Sequence, residues 1–134
     1  MYTINKIHSF IAAEVEKEIK NLTKTKPANL YQPVGYALSM GGKRLRPALV
    51  LLAYNMFCDN VEEALPVAMA VEVFHNFTLL HDDIMDKAEM RRNNPSVYKK
   101  YSENIAILSG DAMSIMAYKY LLESKSAQLP AIIG

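Results

Sequence analysis

Apolar residues recur at helical spacing along almost the whole chain. The first stretch, residues 3–24, carries one apolar stripe made of Ile4, Ile7, Ile11, Val15, Ile19 and Leu22. Thr3 is suited to cap the start of this helix, and Pro27 lies beyond its end. No alternating apolar and polar run bounded by turn residues predicts a strand. The pattern therefore predicts an all-α fold.

Three more helices follow from the same pattern. Residues 29–40 form a short helical stretch with Pro33 near its first turn, and Gly41-Gly42 ends it. The run RPALVLLAYNMF, from Arg46 to about Cys58, is apolar nearly all round, so we expect a helix buried on most sides. Residues 62–86 form the longest pattern, with a proline in the opening turns.

The remaining part of the chain is first polar and then apolar. Residues 87–95 gather charges, asparagines and a proline, which predicts a loop. A short SVYKKY segment leads to a last apolar helix over residues 104–124. We interpret residues 1–134 as belonging to one domain without internal repeats.

Composition and charge restrict the function classes. With 51% hydrophobic and 22% charged residues, the chain can bury a core. Fifteen basic and fourteen acidic residues leave a net charge of +1, so we expect no nucleic-acid partner and no stable membrane association. The single Cys58 and an N-terminus without a long apolar core predict a cytoplasmic protein. Any site for an anion must therefore be local.

The acids of DDIMD, Asp82, Asp83 and Asp86, stand at the C-terminal end of the longest helix. Carboxylates there oppose the helix dipole, and Asp82 and Asp86 repel each other across one turn. A magnesium ion bound by this pair, together with phosphates and waters, would compensate. A solvated acidic helix end is the alternative, because DDxxD is a short pattern.

Two basic segments flank these acids. In GGKRLRP, Gly42 and its neighbour allow a close backbone approach, and Lys43, Arg44 and Arg46 crowd the start of a helix, where anions bind. Lys supplies a point charge and Arg a bidentate fork, which favours a diphosphate cradle over a set of solvated surface cations. The second segment contains Arg91-Arg92 and is weaker evidence alone.

His75 lies on the same helical face as Asp82 and Asp86 and could donate to a phosphate, although a histidine on a largely apolar helix is more often a hydrogen-bonded core residue. Glu72 and His75 also form a Glu-x-x-His pair, but a di-iron site needs a second such pair, and the sequence has none.

Taken together, GGKRLRP, HNFTLLHDDIMD, the RR pair, Pro95 and NIAILSGDAM resemble the trans-isoprenyl diphosphate synthases, or polyprenyl synthetases, in order and spacing across about residues 30–125. The resemblance implies the N-terminal portion of an isoprenoid-synthase-type helical barrel. It also implies a homodimeric prenyltransferase that condenses isopentenyl diphosphate with an allylic diphosphate.

The resemblance assigns roles residue by residue. Asp82 and Asp86 would bind Mg²⁺ bridging the allylic diphosphate, with Asp83 in support, and Arg91 would grip that diphosphate. The diphosphate of isopentenyl diphosphate would be held by Gly42, Lys43, Arg46, His75 and Arg92. Apart from the resemblance, we interpret Asp111, after Gly110, as a structural or supporting residue rather than one in direct contact with a ligand.

Product length in the family depends on bulk just before the aspartates. Phe77 and Thr78 occupy those positions, and an aromatic residue at the first resembles enzymes making C15 or C20 products, although Phe77 is equally suited to a core.

Two features depart from the family pattern. Asn93-Asn94-Pro95-Ser96 stands where Gly-x-Pro-Thr is usual, and no second aspartate-rich motif follows before Gly134. We therefore expect a piece of a longer synthase that is inactive alone. A noncatalytic diphosphate-binding subunit and a structural helical bundle are the competing hypotheses, while a terpene cyclase would lack the second set of cations.

Overall fold

The computed structural model describes residues 2–124, so Met1 and residues 125–134 of the predicted domain lie outside the described residues. The elements in chain order are α1 (Ile4–Leu22), α2 (Ala28–Ser39), α3 (Leu45–Asn55), a 3-10 turn (Val61–Ala64), α4 (Leu65–Met85), β1 (Met90–Arg91), β2 (Asn94–Pro95), α5 (Val97–Lys100) and α6 (Glu103–Leu122). The all-α prediction is confirmed.

Helix boundaries follow local chemistry. The Oγ1 of Thr3 accepts a hydrogen bond from the amide of Lys6 at 3.2 Å, so the predicted N-cap of α1 is confirmed. Ser102 caps α6 in the same way through the amide of Ile105. The predicted long helix over residues 62–86 begins with a 3-10 turn and becomes α-helical at Leu65.

The prediction that the chain contains no strand is wrong in one place. Met90 pairs with Pro95 and Arg91 with Asn94 in a two-residue antiparallel hairpin. Arg92 and Asn93 both have positive φ, 51° and 65°, as both central residues of a type I′ hairpin turn do. Asparagine tolerates this conformation better than most residues, so the turn forms with Asn93 and without a glycine.

The core lies where α4 crosses the other helices. Buried apolar side chains from α1, α2, α3, α4 and α6 form one cluster, including Ile7, Ile11, Leu38, Leu51, Val73 and Met113. Four of the six residues in the predicted α1 stripe are buried, whereas Ile4 is exposed and Ile19 is only partly buried. Burial of this stripe against α2, α3 and α4 supplies the main driving force for docking α1.

Helix α3 differs from its prediction. Its buried face consists of Pro47, Ala48, Leu51 and Asn55, while Leu49 is 64% exposed and Phe57, just after the helix, is 88% exposed. The reason is its position at the edge of the bundle, where it contacts α1, α4 and the 3-10 turn on one side. Among the described residues, nothing covers the other side.

Helices α4 and α6 lie side by side over most of their lengths. Gly110 permits this, since a Cβ there would lie 2.6 Å from the Nε2 of His81 and 3.4 Å from the Phe77 ring. Within residues 2–124, α6 is the one helix long and apolar enough to span a membrane by length and composition, a property that core helices of soluble proteins share. The predicted lack of membrane association stays a prediction.

Candidate active site

The exposed acidic pair lies at the C-terminal end of α4. Asp82 and Asp86 are both exposed, and the amide of Asp86 donates to the Asp82 carbonyl at 2.8 Å in the last turn. Neither carboxylate forms a salt bridge or a side-chain hydrogen bond within residues 2–124. Two like charges one turn apart destabilise a helix end, so this end is suited to a cation.

A metal at this end would have few protein ligands. Across residues 2–124, no three His, Cys, Asp or Glu side chains converge into a metal-binding group. Asp82 and Asp86 therefore offer two carboxylates and leave the other coordination positions open. Magnesium fits this set, because it keeps several waters and is commonly bound through one or two carboxylates plus substrate phosphates.

Asp83 points away from that pair. Its side chain is buried and accepts two hydrogen bonds from Arg91, from Nε at 2.8 Å and from Nη2 at 2.7 Å. This bidentate pairing with Asp83 raises the pKa of Arg91, so the guanidinium remains charged. Among residues 2–124 its Nη1 group has no hydrogen-bond partner and is available to donate to a ligand. Asp83 thus orients Arg91, and the sequence had grouped it with the exposed acids.

The hairpin places Arg92 against the glycine loop between α2 and α3. Its Nη1 donates to the carbonyl of Gly41 at 2.6 Å. A Cβ on Gly42 would lie 2.7 Å from Nη2 of Arg92, so a side chain at this position would displace the guanidinium from where it lies. Gly41 and Gly42 have φ of +80° and +126°, values that other residues rarely adopt. The two basic segments of the sequence therefore meet.

Arg46 on α3 reaches His75 on α4. The Nη1 of Arg46 lies 3.2 Å from the Nε2 of His75. Arginine can only donate, so Nε2 accepts and the imidazole is neutral with its proton on Nδ1. Burial, and then the positive charge of Arg46, lower the pKa of His75 below its ordinary value. His75 is consequently a neutral imidazole with one N–H donor rather than a second fixed positive charge.

The cations of the two segments share one electrostatic environment. Arg46, Arg91 and Arg92 each lower the pKa of His75. Lys43 is exposed at the edge of the same loop. This concentration of positive charge occurs in a chain whose net charge is only +1, so it is local rather than part of a general basic surface, and it makes this region a candidate for anion binding.

Arg44 does not join that site. The sequence grouped it with Lys43 and Arg46, but its side chain turns into the core towards Glu72, 3.7 Å away, and donates to the Leu38 carbonyl. The signal that could have revealed this is Glu72 itself, an acid on the buried side of a largely apolar helix.

A groove of about 380 Å³ lies between α4 and α6, with Arg46 and His75 at its rim. Its walls also include Val71, Phe74 and Thr78 from α4 and Ala117, Tyr118 and Leu121 from α6. Thr78 and Phe74 lie about 6 Å and 12 Å from Asp82 along the helix axis. An apolar groove therefore leads away from the acidic pair.

The two predicted length-determining residues occupy different surroundings. Thr78 lines the groove and donates through Oγ1 to the His75 carbonyl at 2.6 Å. Phe77 is partly buried and packs edge-on against Phe74 at 5.3 Å and His81 at 4.7 Å between ring centres. Sequence reasoning missed Phe74, although it lies one turn before Thr78 on nearly the same face as Asp82.

His81 and Asp111 link α4 to α6 near the acidic end. The Nε2 of His81 is 3.3 Å from the Ile107 carbonyl and 3.9 Å from Oδ1 of Asp111. The Asp111 side chain is 59% exposed, so this contact leaves it accessible from solvent.

Comparison with known proteins identifies the family. A polyprenyl synthetase family model matches residues 27–133. Over 100 residues, or 75% of the chain, the sequence is 47% identical to geranylgeranyl diphosphate synthase of Methanosarcina mazei, of which it covers 31%. It is 42% identical to the short chain isoprenyl diphosphate synthase of Methanocaldococcus jannaschii, covering 81% of the chain and 33% of that relative.

The structural comparison agrees. The crystal structure of a geranylgeranyl pyrophosphate synthase superposes on 98% of the chain with a TM-score of 0.89 and 45% identity, and the chain covers 39% of it. The chain therefore belongs to the polyprenyl synthetase family. It spans about a third of the length of these curated relatives.

Proposed function

We propose that this chain is the N-terminal part of a magnesium-dependent trans-prenyl diphosphate synthase. The observation that carries the proposal is the convergence of two cationic segments beside an exposed carboxylate pair, with Arg92 on the glycine loop and Arg46 on His75. The reaction would condense isopentenyl diphosphate with an allylic diphosphate to a C15–C20 product. The similarity to geranylgeranyl and short chain diphosphate synthases supports this product range.

The residues divide into two diphosphate sites. Asp82 and Asp86 would hold magnesium, which when bound supplies positive charge to the allylic diphosphate as it leaves. Arg91, oriented by Asp83, donates to the same diphosphate through its remaining N–H groups. Charge that develops on the leaving group then meets donors that are already in place.

The second site would bind the diphosphate of isopentenyl diphosphate. Lys43, Arg46 and Arg92 supply cations, and the neutral His75 supplies one N–H donor. The lack of a side chain on Gly42 makes room for the Arg92 guanidinium, which would donate to this diphosphate. The largely apolar groove between α4 and α6 would receive the hydrocarbon chain of the substrate. No protein group is required as general base, because the released diphosphate can take the proton.

The test is a product assay on the full-length gene product with isopentenyl diphosphate, a series of allylic primers and Mg²⁺. We expect elongation by the wild type and none by the Asp82→Ala, Asp86→Ala double variant. The matched control is Asp59→Ala with Glu62→Ala, which removes two exposed acids near the opposite end of α4. Circular dichroism must show equal folding for all three proteins.

A well-folded wild type that elongates no primer would reject the enzyme in favour of a noncatalytic diphosphate-binding subunit. Equal loss of activity in the control would show that the acidic pair has no special role. The homodimer and the cytoplasmic location stay predictions, and sedimentation and cell fractionation of the full-length protein would test them.

A further inference from the structure

A chain of polar side chains runs through the core beneath the glycine loop. The Nδ2 of Asn76 donates to Oε1 of Glu72 at 3.0 Å and to the Glu72 carbonyl at 2.9 Å. Glu72 Oε1 lies 3.7 Å from Nη1 of Arg44, whose Nη2 donates to the Leu38 carbonyl at 2.7 Å. This chain joins α4, the start of α3 and the end of α2.

The backbone of Arg44 shows what these contacts do. Arg44 has φ of 53° and ψ of 38°, a left-handed conformation that an ordinary side chain disfavours. Such a conformation persists only where surrounding contacts hold it. The left-handed turn directs Arg44 inward, while its neighbours Lys43 and Arg46 stay exposed. The contacts of Arg44 therefore fix the path of the segment that carries the proposed diphosphate ligands.

Burying Glu72 lowers the stability of the fold, so its presence calls for a role. The residue is only 4% exposed, and its Oε2 has no hydrogen-bond partner within residues 2–124. A buried ionised carboxylate is destabilising unless it is well paired, and its bond to Arg44 is long. The position of Glu72 suggests that role. Glu72 lies one turn before His75, and its negative charge acts on both Arg44 and His75.

We propose that Arg44 and Glu72 are a positioning pair for the second diphosphate site. Neither residue touches substrate. Glu72 holds Arg44 inward and offsets the mutual repulsion of the surrounding cations, and Arg44 in turn sets the direction of the loop from Gly41 to Arg46. The inference rests on the proposed function, because it assigns the loop to isopentenyl diphosphate.

The effect of the pair should be selective for one substrate. The pair lies below Gly42, Lys43 and Arg46, whereas Asp83 and the hairpin orient Arg91 independently. If the pair only stabilised the fold, substituting either residue would lower the unfolding temperature and leave both Michaelis constants unchanged in the folded fraction. If the pair positions the loop, the same substitutions raise the KM for isopentenyl diphosphate and leave the KM for the allylic primer unchanged.

The experiment uses the full-length protein and four variants: Glu72→Gln, Arg44→Met, the double variant, and Arg44→Lys. Glu63→Gln is the matched control, since the Glu63 carboxylate also accepts a hydrogen bond, from Tyr54 at 2.7 Å, but lies outside the site. Readouts are kcat, KM for each substrate, calorimetric binding of isopentenyl diphosphate alone, and the unfolding temperature.

We expect each single variant to raise the KM and the Kd for isopentenyl diphosphate about tenfold, because the loop would no longer hold its ligands in place. The KM for the primer should stay within about twofold, and Glu63→Gln should match the wild type. The double variant should be no worse than the poorer single variant, because the two residues act as one unit. Should Glu72→Gln or Arg44→Met fail to fold, Arg44→Lys decides, since it keeps the charge and loses the arginine's fork geometry.

Equal changes in both Michaelis constants, additive effects in the double variant, or altered stability with unaltered Kd would each overturn the positioning role. The binding measurement separates this outcome from failure of the proposed function. If the wild type binds isopentenyl diphosphate but elongates no primer, the proposed reaction is wrong and the Kd values still judge the pair. If the wild type does not bind isopentenyl diphosphate at all, both are wrong.

Discussion

Gly42→Ala gives the sharpest test of how the two basic segments meet. The added Cβ would lie 2.7 Å from Nη2 and 2.8 Å from Cζ of Arg92. Real Cβ atoms do not approach other atoms this closely, so Arg92 must move. The far end of this flexible side chain can shift at little cost, so we expect the guanidinium to leave its place above the loop and its hydrogen bond to the Gly41 carbonyl, 2.6 Å long, to be lost.

Two separate costs follow from this substitution. The φ of +126° at Gly42 is strained for alanine, at about 1–3 kcal/mol of folding free energy. Displacing Arg92 removes a charged donor from the anion site, a loss of about 1.5–3 kcal/mol of binding energy. The second cost corresponds to a rise of about 10- to 100-fold in the Kd for isopentenyl diphosphate.

Gly41→Ala separates the two costs. Gly41 has a φ of +80°, so alanine there is also strained, but nothing lies within 4 Å of its added Cβ. Urea unfolding of the full-length protein should show both variants destabilised. Calorimetric titration with isopentenyl diphosphate should show weakened binding for Gly42→Ala alone. Wild-type affinity in Gly42→Ala, or an equal loss in Gly41→Ala, would refute the argument that Gly42 makes room for Arg92.

Three further outcomes are expected. Asp83→Asn should lower the unfolding free energy by about 1–3 kcal/mol in urea, because Arg91 loses its carboxylate partner, and should raise the KM for the allylic primer; an unchanged KM would contradict the orienting role. Phe77→Ala should lengthen the product, as measured by chromatography. Phe74→Ala tests whether product length depends instead on the neighbouring ring that lines the groove; wild-type product lengths from both variants would reject α4 as a length determinant. Burial and the charge of Arg46 lower the pKa of His75, so the stability that the neutral His75 contributes is fully present above pH 6.5 and is lost as the pH falls through its folded-state pKa. The unfolding free energy should therefore fall less steeply with decreasing pH in His75→Gln than in the wild type. Identical pH profiles for the two proteins would refute this.

The sequence by itself determined the elements and their chemistry. The helical spacing of apolar residues and the N-cap Thr3 predicted α1. The spacing of Asp82 and Asp86 placed both on one face of the end of α4. These properties are local, since each depends on residues within a few turns of one helix. The ordered motifs also indicated the family, which the comparison confirmed.

Only the tertiary structure decided which cations lie at the candidate site and which lie in the core. Arg44 and Arg46 look alike in the sequence, yet Arg44 pairs with Glu72 in the core and Arg46 with His75 near the surface. Exposure of α3 was likewise decided by which helices cover it, not by its composition. Contacts between segments far apart in sequence depend on how helices pack, and helical periodicity carries no information about the partner. The meeting of Arg92 with the glycine loop, 51 residues away, belongs to this second class.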